Sequence, residues 1–271
     1  MAVDMAVLLT DLEAETGVVD EMVAGLDAPA WDRATPAAGW AIRDQISHLA
    51  YFDAAAVVSA RDPERFRAEA AALQAIGDGF PDVVAEQHRH LSPEQLLQWF
   101  RTDRRELVAT FASLDPALRV PWYGPDMSAA SALTARLMET WAHGQDIADA
   151  LDIRREPAAG LRHIAHLGVR TFAFSFRQRG LDVPDAPVRV ELVGPGGASW
   201  VWGEADAGDR ISGPAEHFCL VVTQRRHVAE TELVVYGPVA AQWMSIAQAY
   251  AGTPAPGRPA PAAAAQGGRY G

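Results

Sequence analysis

The stretch METWAHGQDIADAL, Met138–Leu151, places a carboxylate and an imidazole four residues apart in a segment with helical periodicity. Glu139 and His143 therefore lie on one face of an α-helix, one above the other. Side chains stacked in this way can hold one divalent metal ion, but two ligands do not make a site. A third ligand must come from elsewhere in the chain, and His48 in GWAIRDQISHLAYFD is the candidate.

Charge and composition exclude several classes of function. The formal net charge is -12 and no basic run interrupts it, so the sequence predicts neither nucleic acid nor an anionic membrane as partner. All 23 basic residues are arginines, which excludes Schiff-base lysine chemistry. The single cysteine, Cys219, allows no internal disulfide, and no apolar run could span a bilayer. We therefore expect a cytoplasmic protein.

Hydrophobic periodicity and turn residues predict three regions. Residues 1–181 read as a helix bundle, residues 182–252 as a small α+β domain, and residues 253–271, rich in Pro, Ala and Gly, as a disordered tail. The fold class is thus α+β. The bundle helices are predicted at Val3–Leu26, Ala41–Ala60, Ser92–Leu114, from Ser128 through the Glu139–His143 pair, and at Pro157–Gln178.

After Pro187 the period changes from that of a helix to that of a strand. We expect strands from Val188 to Leu192, from Trp200 to Trp202 and from Glu232 to Tyr236. Ser212 and Pro214 are expected to open a helix that includes Cys219, and Pro238–Tyr250 to form the last helix.

Several of these residues together resemble a known family. Gly39-Trp40, then Arg43-Asp44 and His48-Leu49, look like the signature of the DinB-like metalloprotein superfamily, closest to its mycothiol-dependent maleylpyruvate isomerase branch. Glu139 with His143 stands where that branch carries its second and third ligands. The later segments ISGPAEHFCLVVTQRRH and VYGPVAAQWMSIAQAYAG are similar to the C-terminal domain of an actinobacterial metal-binding subgroup.

The resemblance implies an up-down DinB-like bundle with His48, Glu139 and His143 as ligands of one divalent metal. Two imidazoles and one carboxylate suit zinc best, and nickel, cobalt or manganese less decisively. Three protein ligands leave a position open, which is the catalytic pattern. The family also implies a low-molecular-weight thiol such as mycothiol, whose pKa a bound dication would lower.

Other charged residues admit two interpretations each. Asp44, one turn before His48, is a candidate acceptor that orients a ligand imidazole, or an acid favoured by the helix dipole. Asp53 is a candidate base near the pocket, or a surface charge. Arg225, Arg226 and His227 are candidates to meet a carboxylate of the substrate or thiol cofactor, although basic residues are common at helix C-termini.

The predicted function is that of a metal-dependent enzyme, a thiol transferase or isomerase acting on a small electrophilic metabolite. Two alternatives remain open. In one, the metal acts as a Lewis acid without a thiol, in a cyclase, isomerase or hydrolase of secondary metabolism. In the other, the protein is a non-catalytic module that binds a metal or ligand. The expected partner is a small-molecule substrate, and the chain is expected to be a monomer or homodimer.

Overall fold

The computed structural model describes residues 4–252 and residue 254. The described chain divides into two compact units, one running to Leu167 and rejoined by residues 250–252, the other running from Gly168 to Ala249. The predicted tail, 253–271, lies outside the described residues apart from Pro254. Within that described range, no helix has the length and apolar character needed to cross a membrane.

The first unit is a helix bundle. Its long helices are α1 (Met5–Ala24), α3 (Ile42–Arg61), α6 (Pro93–Phe111) and α7 (Ala129–Leu151). The shorter elements are α2 (Ala28–Trp31), α4 (Pro63–Gln74), α5 (Phe80–His88), and the strands β1 (Arg119–Val120) and β2 (Met127–Ser128), which pair antiparallel. Helix α8 (Leu161–Arg170) crosses the division between the two units.

Local sequence signals explain where the bundle helices begin. The Ser92 hydroxyl accepts the backbone N–H of Gln95, and the Gln95 side chain accepts the N–H of Ser92, which is a capping box at the start of α6. Ser128 accepts the N–H of Ser131 at the start of α7. The helix starts predicted at these serines are confirmed.

Helix α3 is the centre of the bundle, since it packs against both α6 and α7. Its apolar stripe, formed by Ile42, Ile46 and Leu49, is fully buried together with Phe100 of α6. Helix α3 therefore cannot rotate about its axis without exposing this surface. Helix α7 packs against α1 as well as against α3.

The second unit is an α+β domain built on a four-stranded sheet in its described part. The strands are β3 (Val188–Val193), β4 (Ser199–Trp202), β5 (Asp209–Pro214) and β6 (Val234–Tyr236), in the order β4-β3-β5-β6. Strand β3 pairs antiparallel with β4 and parallel with β5, and β5 pairs antiparallel with β6. The helices are α9 (Phe172–Arg177), α10 (Ala215–Val222) and α11 (Pro238–Ile246).

Two expectations for this region were wrong in part. Ser212 does not open a helix but lies in strand β5, whereas Pro214 ends β5 and is also the N-cap of α10, which begins at Ala215. The expected helix Pro157–Gln178 is two helices, α8 and α9, separated at Thr171. Helix α9 belongs to the second unit. The ring of its Phe172 lies 5.0 Å from that of Trp243 in α11 and 5.0 Å from that of Phe176.

Gly144 permits the close approach of α7 to α1. A Cβ at this position would lie 2.9 Å from Cγ2 of Val19 and 3.3 Å from a guanidinium nitrogen of Arg155.

We expect Gly144→Val to lower the free energy of unfolding by about 1–3 kcal/mol through overpacking. Gly17→Val in α1 is the matched control, because a Cβ there meets nothing within 4 Å. Chemical denaturation of both variants measures the difference, and equal midpoints would show that the helices do not need this glycine.

Candidate metal centre

Three side chains from two helices meet in the bundle. Nε2 of His48 in α3 and Nε2 of His143 in α7 each lie 3.1 Å from Oε2 of Glu139. One ligand atom from each residue falls within 4.8 Å of those of the other two, and among the described residues this is the one such group of three. The helical spacing of Glu139 and His143 supplies two of these atoms, and the packing of α3 against α7 supplies the third.

His143 is held by a hydrogen bond from its far nitrogen. Its Nδ1 bonds to Oε1 of Gln45, a fully buried side chain one turn before His48 on α3. A ligand histidine normally has such a partner, which fixes the direction of the ring. Sequence reasoning missed Gln45. Its position three residues before His48 was the available signal, but a Gln at that spacing does not reveal a partner on another helix.

His48 is held differently, by packing of its ring. The ring centroid lies 4.5 Å from that of Phe52, 5.3 Å from Trp40 and 4.3 Å from His143. Its Nδ1 is buried and has no hydrogen-bond partner within residues 4–252. Burial and the neighbouring His143 lower the pKa of His48 to about 4, outweighing Glu139, so the ring is neutral at physiological pH.

Glu139 is the ionised member of the group. Burial acts to raise its pKa, but the contacts of its carboxylate with Nε2 of His143 and Nε2 of His48 bring that pKa well below its ordinary value. Its side chain keeps 24% of its surface exposed, against 11% for each histidine. The carboxylate is therefore the most exposed member of the three.

Asp44 does not take the predicted position next to a ligand imidazole. Its carboxylate accepts the backbone N–H of Ala41 at the start of α3 and two N–H bonds from Arg89, at 2.9 and 3.0 Å. These contacts match the alternative interpretation, an acid at the N-terminus of its helix. The physical reason is the position of Asp44 in the first turn of α3, where backbone N–H groups still need acceptors.

Asp53 is neither a surface charge nor a free base. It is completely buried, and Nε of Arg104 and Nε of Arg136 contact its two oxygens at 2.6 and 3.0 Å. Arg104 also donates to Thr140 of α7, and Arg136 to the carbonyl of Leu49 of α3. With both oxygens engaged by guanidinium groups, Asp53 joins α3, α6 and α7 and is not available to accept a substrate proton.

Arg225, Arg226 and His227 lie in the second unit, on the turn that follows α10. Nη1 of Arg225 donates to the carbonyl of Thr223, and Nη1 of Arg226 to the carbonyl of Arg225. Nδ1 of His227 accepts the N–H of Ala229 at the start of a short 3₁₀ helix. Their predicted role in binding a thiol or substrate stays a prediction.

Comparison with known proteins places this geometry in a family. Residues 12–148, a segment that contains all three converging side chains, match the family described as the mycothiol maleylpyruvate isomerase N-terminal domain. The chain belongs to this family. Residues 184–235 match a second family description, wyosine base formation.

Relatives of this member of the mycothiol maleylpyruvate isomerase family cover nearly its whole length. The uncharacterized protein Rv0036c of Mycobacterium tuberculosis is 44% identical over 255 residues, which is 94% of this chain and 99% of the relative. The crystal structure of the mycothiol-dependent maleylpyruvate isomerase aligns with a TM-score of 0.56 at 16% identity, covering 83% of this chain and 90% of that chain. A histidine-to-alanine variant of that isomerase gives the same TM-score at 15% identity. These structures show that the fold is shared, and the predicted α+β class with an N-terminal helical bundle is confirmed.

Because Asp53 compensates two buried arginines, its charge is expected to be essential for stability. We expect Asp53→Asn to lower the free energy of unfolding by about 3–5 kcal/mol, since it leaves Arg104 and Arg136 buried without an opposite charge. Glu106→Gln is the matched control, because it breaks the exposed pair with Arg61 and should change stability little. Thermal and urea unfolding give the comparison, and similar losses in the two variants would contradict this role.

Proposed function

We propose that this chain is an enzyme that holds one divalent metal ion on His48, Glu139 and His143. With a mycothiol-like thiol, it isomerises a small electrophilic metabolite or transfers the thiol to it. The observation that carries the proposal is the convergence of the three ligand atoms inside the segment that matches the isomerase family. The name of the aligned structure suggests maleylpyruvate as the first electrophile to test.

The residues present fit a metal ion. Two imidazoles and a carboxylate are the donor set that zinc accepts, with cobalt, nickel and manganese as further candidates. His143 already has the outer hydrogen bond expected of a ligand, through Gln45. A dication bound by this set would lower the pKa of a thiol from about 8.5, so that the thiolate is present at neutral pH.

The surrounding charges favour an anionic ligand. Arg104 and Arg136 carry two positive charges against the one negative charge of Asp53, and the remaining positive charge balances the ionised Glu139, so a bound dication would keep its charge for an anionic ligand. Arg136 stands one turn before Glu139 on α7, so its charge lies close to the donor atoms. A buried positive charge stabilises an anion much more than an exposed one does, because the low-dielectric interior screens it less. A thiolate and a carboxylate-bearing substrate both suit this field.

Aromatic rings form an apolar wall beside the donor atoms. The Phe52 ring, in contact with His48, lies 5.5 Å from that of Tyr123, and Trp40 stacks on His143 with centroids 5.9 Å apart. Burial raises the pKa of Tyr123, so its hydroxyl stays protonated at physiological pH. We propose that these rings exclude water from a bound thiol and contact the unsaturated part of the electrophile.

Metal content tests the first part of the proposal. Protein purified without chelators should contain about one divalent metal ion per chain, and His48→Ala or Glu139→Gln should remove most of it, because two ligands hold a metal weakly. His163→Ala is the matched control, since His163 pairs with Asp11 and is not part of the triad. Elemental analysis gives the stoichiometry. A wild-type protein that takes up no zinc, or a His48→Ala variant that keeps its metal, would contradict the proposed centre.

Thiol dependence is tested separately on protein reconstituted with Co²⁺. Addition of mycothiol should change the visible and near-ultraviolet absorption of the wild type and leave Glu139→Gln unchanged. Conversion of maleylpyruvate should then require the thiol. Equal turnover in thiol-free buffer would instead indicate Lewis-acid chemistry, and tight binding of the electrophile without turnover would indicate a binding module.

A further inference from the structure

The amide of Gln45 connects the triad to the loop that precedes α3. Its Oε1 bonds to Nδ1 of His143, and its Nε2 donates to Oγ1 of Thr35 at 2.8 Å. The Thr35 hydroxyl in turn donates to the carbonyl of Trp40 at 2.9 Å. These three hydrogen bonds, which we call the Thr35–Gln45 relay, run from a backbone carbonyl to a candidate ligand.

The relay has one direction. The hydroxyl hydrogen of Thr35 is used on the Trp40 carbonyl, so towards Gln45 this oxygen can only accept. Gln45 must therefore turn its NH₂ group to Thr35 and its carbonyl oxygen to His143. A carbonyl oxygen only accepts, so Gln45 requires a proton on Nδ1 of His143, and in the tautomer that meets this requirement the lone pair is on Nε2. Nε2 is the nitrogen that faces Glu139.

We infer that Gln45 is a positioning residue that selects the metal-binding tautomer of His143, and that Thr35 fixes the orientation of the Gln45 amide. The inference rests on the proposed metal centre and extends it to residues outside the three ligands. The two imidazoles of the triad differ in how they are held. His48 has no hydrogen bond at Nδ1 within the described chain and is held by ring packing, whereas His143 is held by the relay.

The relay also holds the aromatic cover of the site. Trp40, whose carbonyl ends the relay, stacks on the ring of His143 with planes 15° apart. Its indole N–H donates to Asp82 of α5 at 2.7 Å. The backbone that fixes the Gln45 amide is therefore the backbone that places a ring on the same histidine.

Substitution of Gln45 tests the inference with metal affinity as the readout. Gln45→Leu removes the acceptor and should weaken Zn²⁺ and Co²⁺ binding about 10- to 100-fold. Gln45→Glu keeps an acceptor for the same N–H and loses only the donor to Thr35, so it should weaken binding less than Gln45→Leu. Ser47→Ala is the matched control, since Ser47 is buried on the same helix and bonds only to the Asp44 carbonyl among the described residues. Thr35→Val removes the acceptor that orients the Gln45 amide, so the amide can rotate by half a turn. This variant should weaken metal binding less than Gln45→Leu does.

A measurement on the metal-free protein separates this inference from the proposed function. Nitrogen-15 chemical shifts should show His143 of the wild type as the Nδ1–H tautomer, and Gln45→Leu should give a mixture of tautomers. Wild-type protein that binds no metal but shows this change would refute the metal centre and support the relay. The inference would be overturned if Gln45→Leu had the same metal affinity and the same His143 tautomer as Ser47→Ala. If Gln45→Leu does not fold, judged by circular dichroism, an unchanged tautomer in Thr35→Val overturns it equally.

Discussion

The buried contact of Asp53 with Arg104 and Arg136 fixes α3 and α7, the two helices that carry the site, against each other and against α6. An ion pair in a bundle core is costly unless its geometry satisfies every charged atom, so helices that share one tolerate little sliding. Asp53 is on α3, Arg104 on α6 and Arg136 on α7. A shift of α7 by one turn, about 5.4 Å, would separate the two oppositely charged groups.

The same alignment determines whether the candidate ligands can meet. His48 stands five residues before Asp53 on α3, and Glu139 stands three residues after Arg136 on α7. Because both helices are continuous through these positions, the register that joins Asp53 to Arg136 also brings His48 to Glu139. Stability and site geometry are thus properties of one interface, and the residue that we first considered as a base serves as its charged centre.

Sequence reasoning could predict those parts of the site that depend on local geometry. The i, i+4 spacing of Glu139 and His143 determines their shared face in any α-helix, and the serine caps mark where α6 and α7 begin. His48 was a candidate that the family resemblance then supported, because nothing local to α3 states which face meets α7. The partners of Asp44 and Asp53 could not be read from the sequence for the same reason, since Arg89, Arg104 and Arg136 are all distant in sequence.

The central strand β5 shows a second limit of the sequence pattern. Asp209–Pro214 contains a glycine and ends in a proline, both rare inside strands, so the sequence pattern predicted a helix start at Ser212 and Pro214 and no strand. The segment is a strand because β3 pairs with it on one side and β6 on the other, and Ile211 is buried between them. Gly213 has φ +145 and a Cβ there would lie 3.0 Å from the carbonyl oxygen of Glu232, so the glycine is required by the close neighbouring backbone. A residue that weakens a strand in isolation is therefore the residue that allows this one to be paired on both sides.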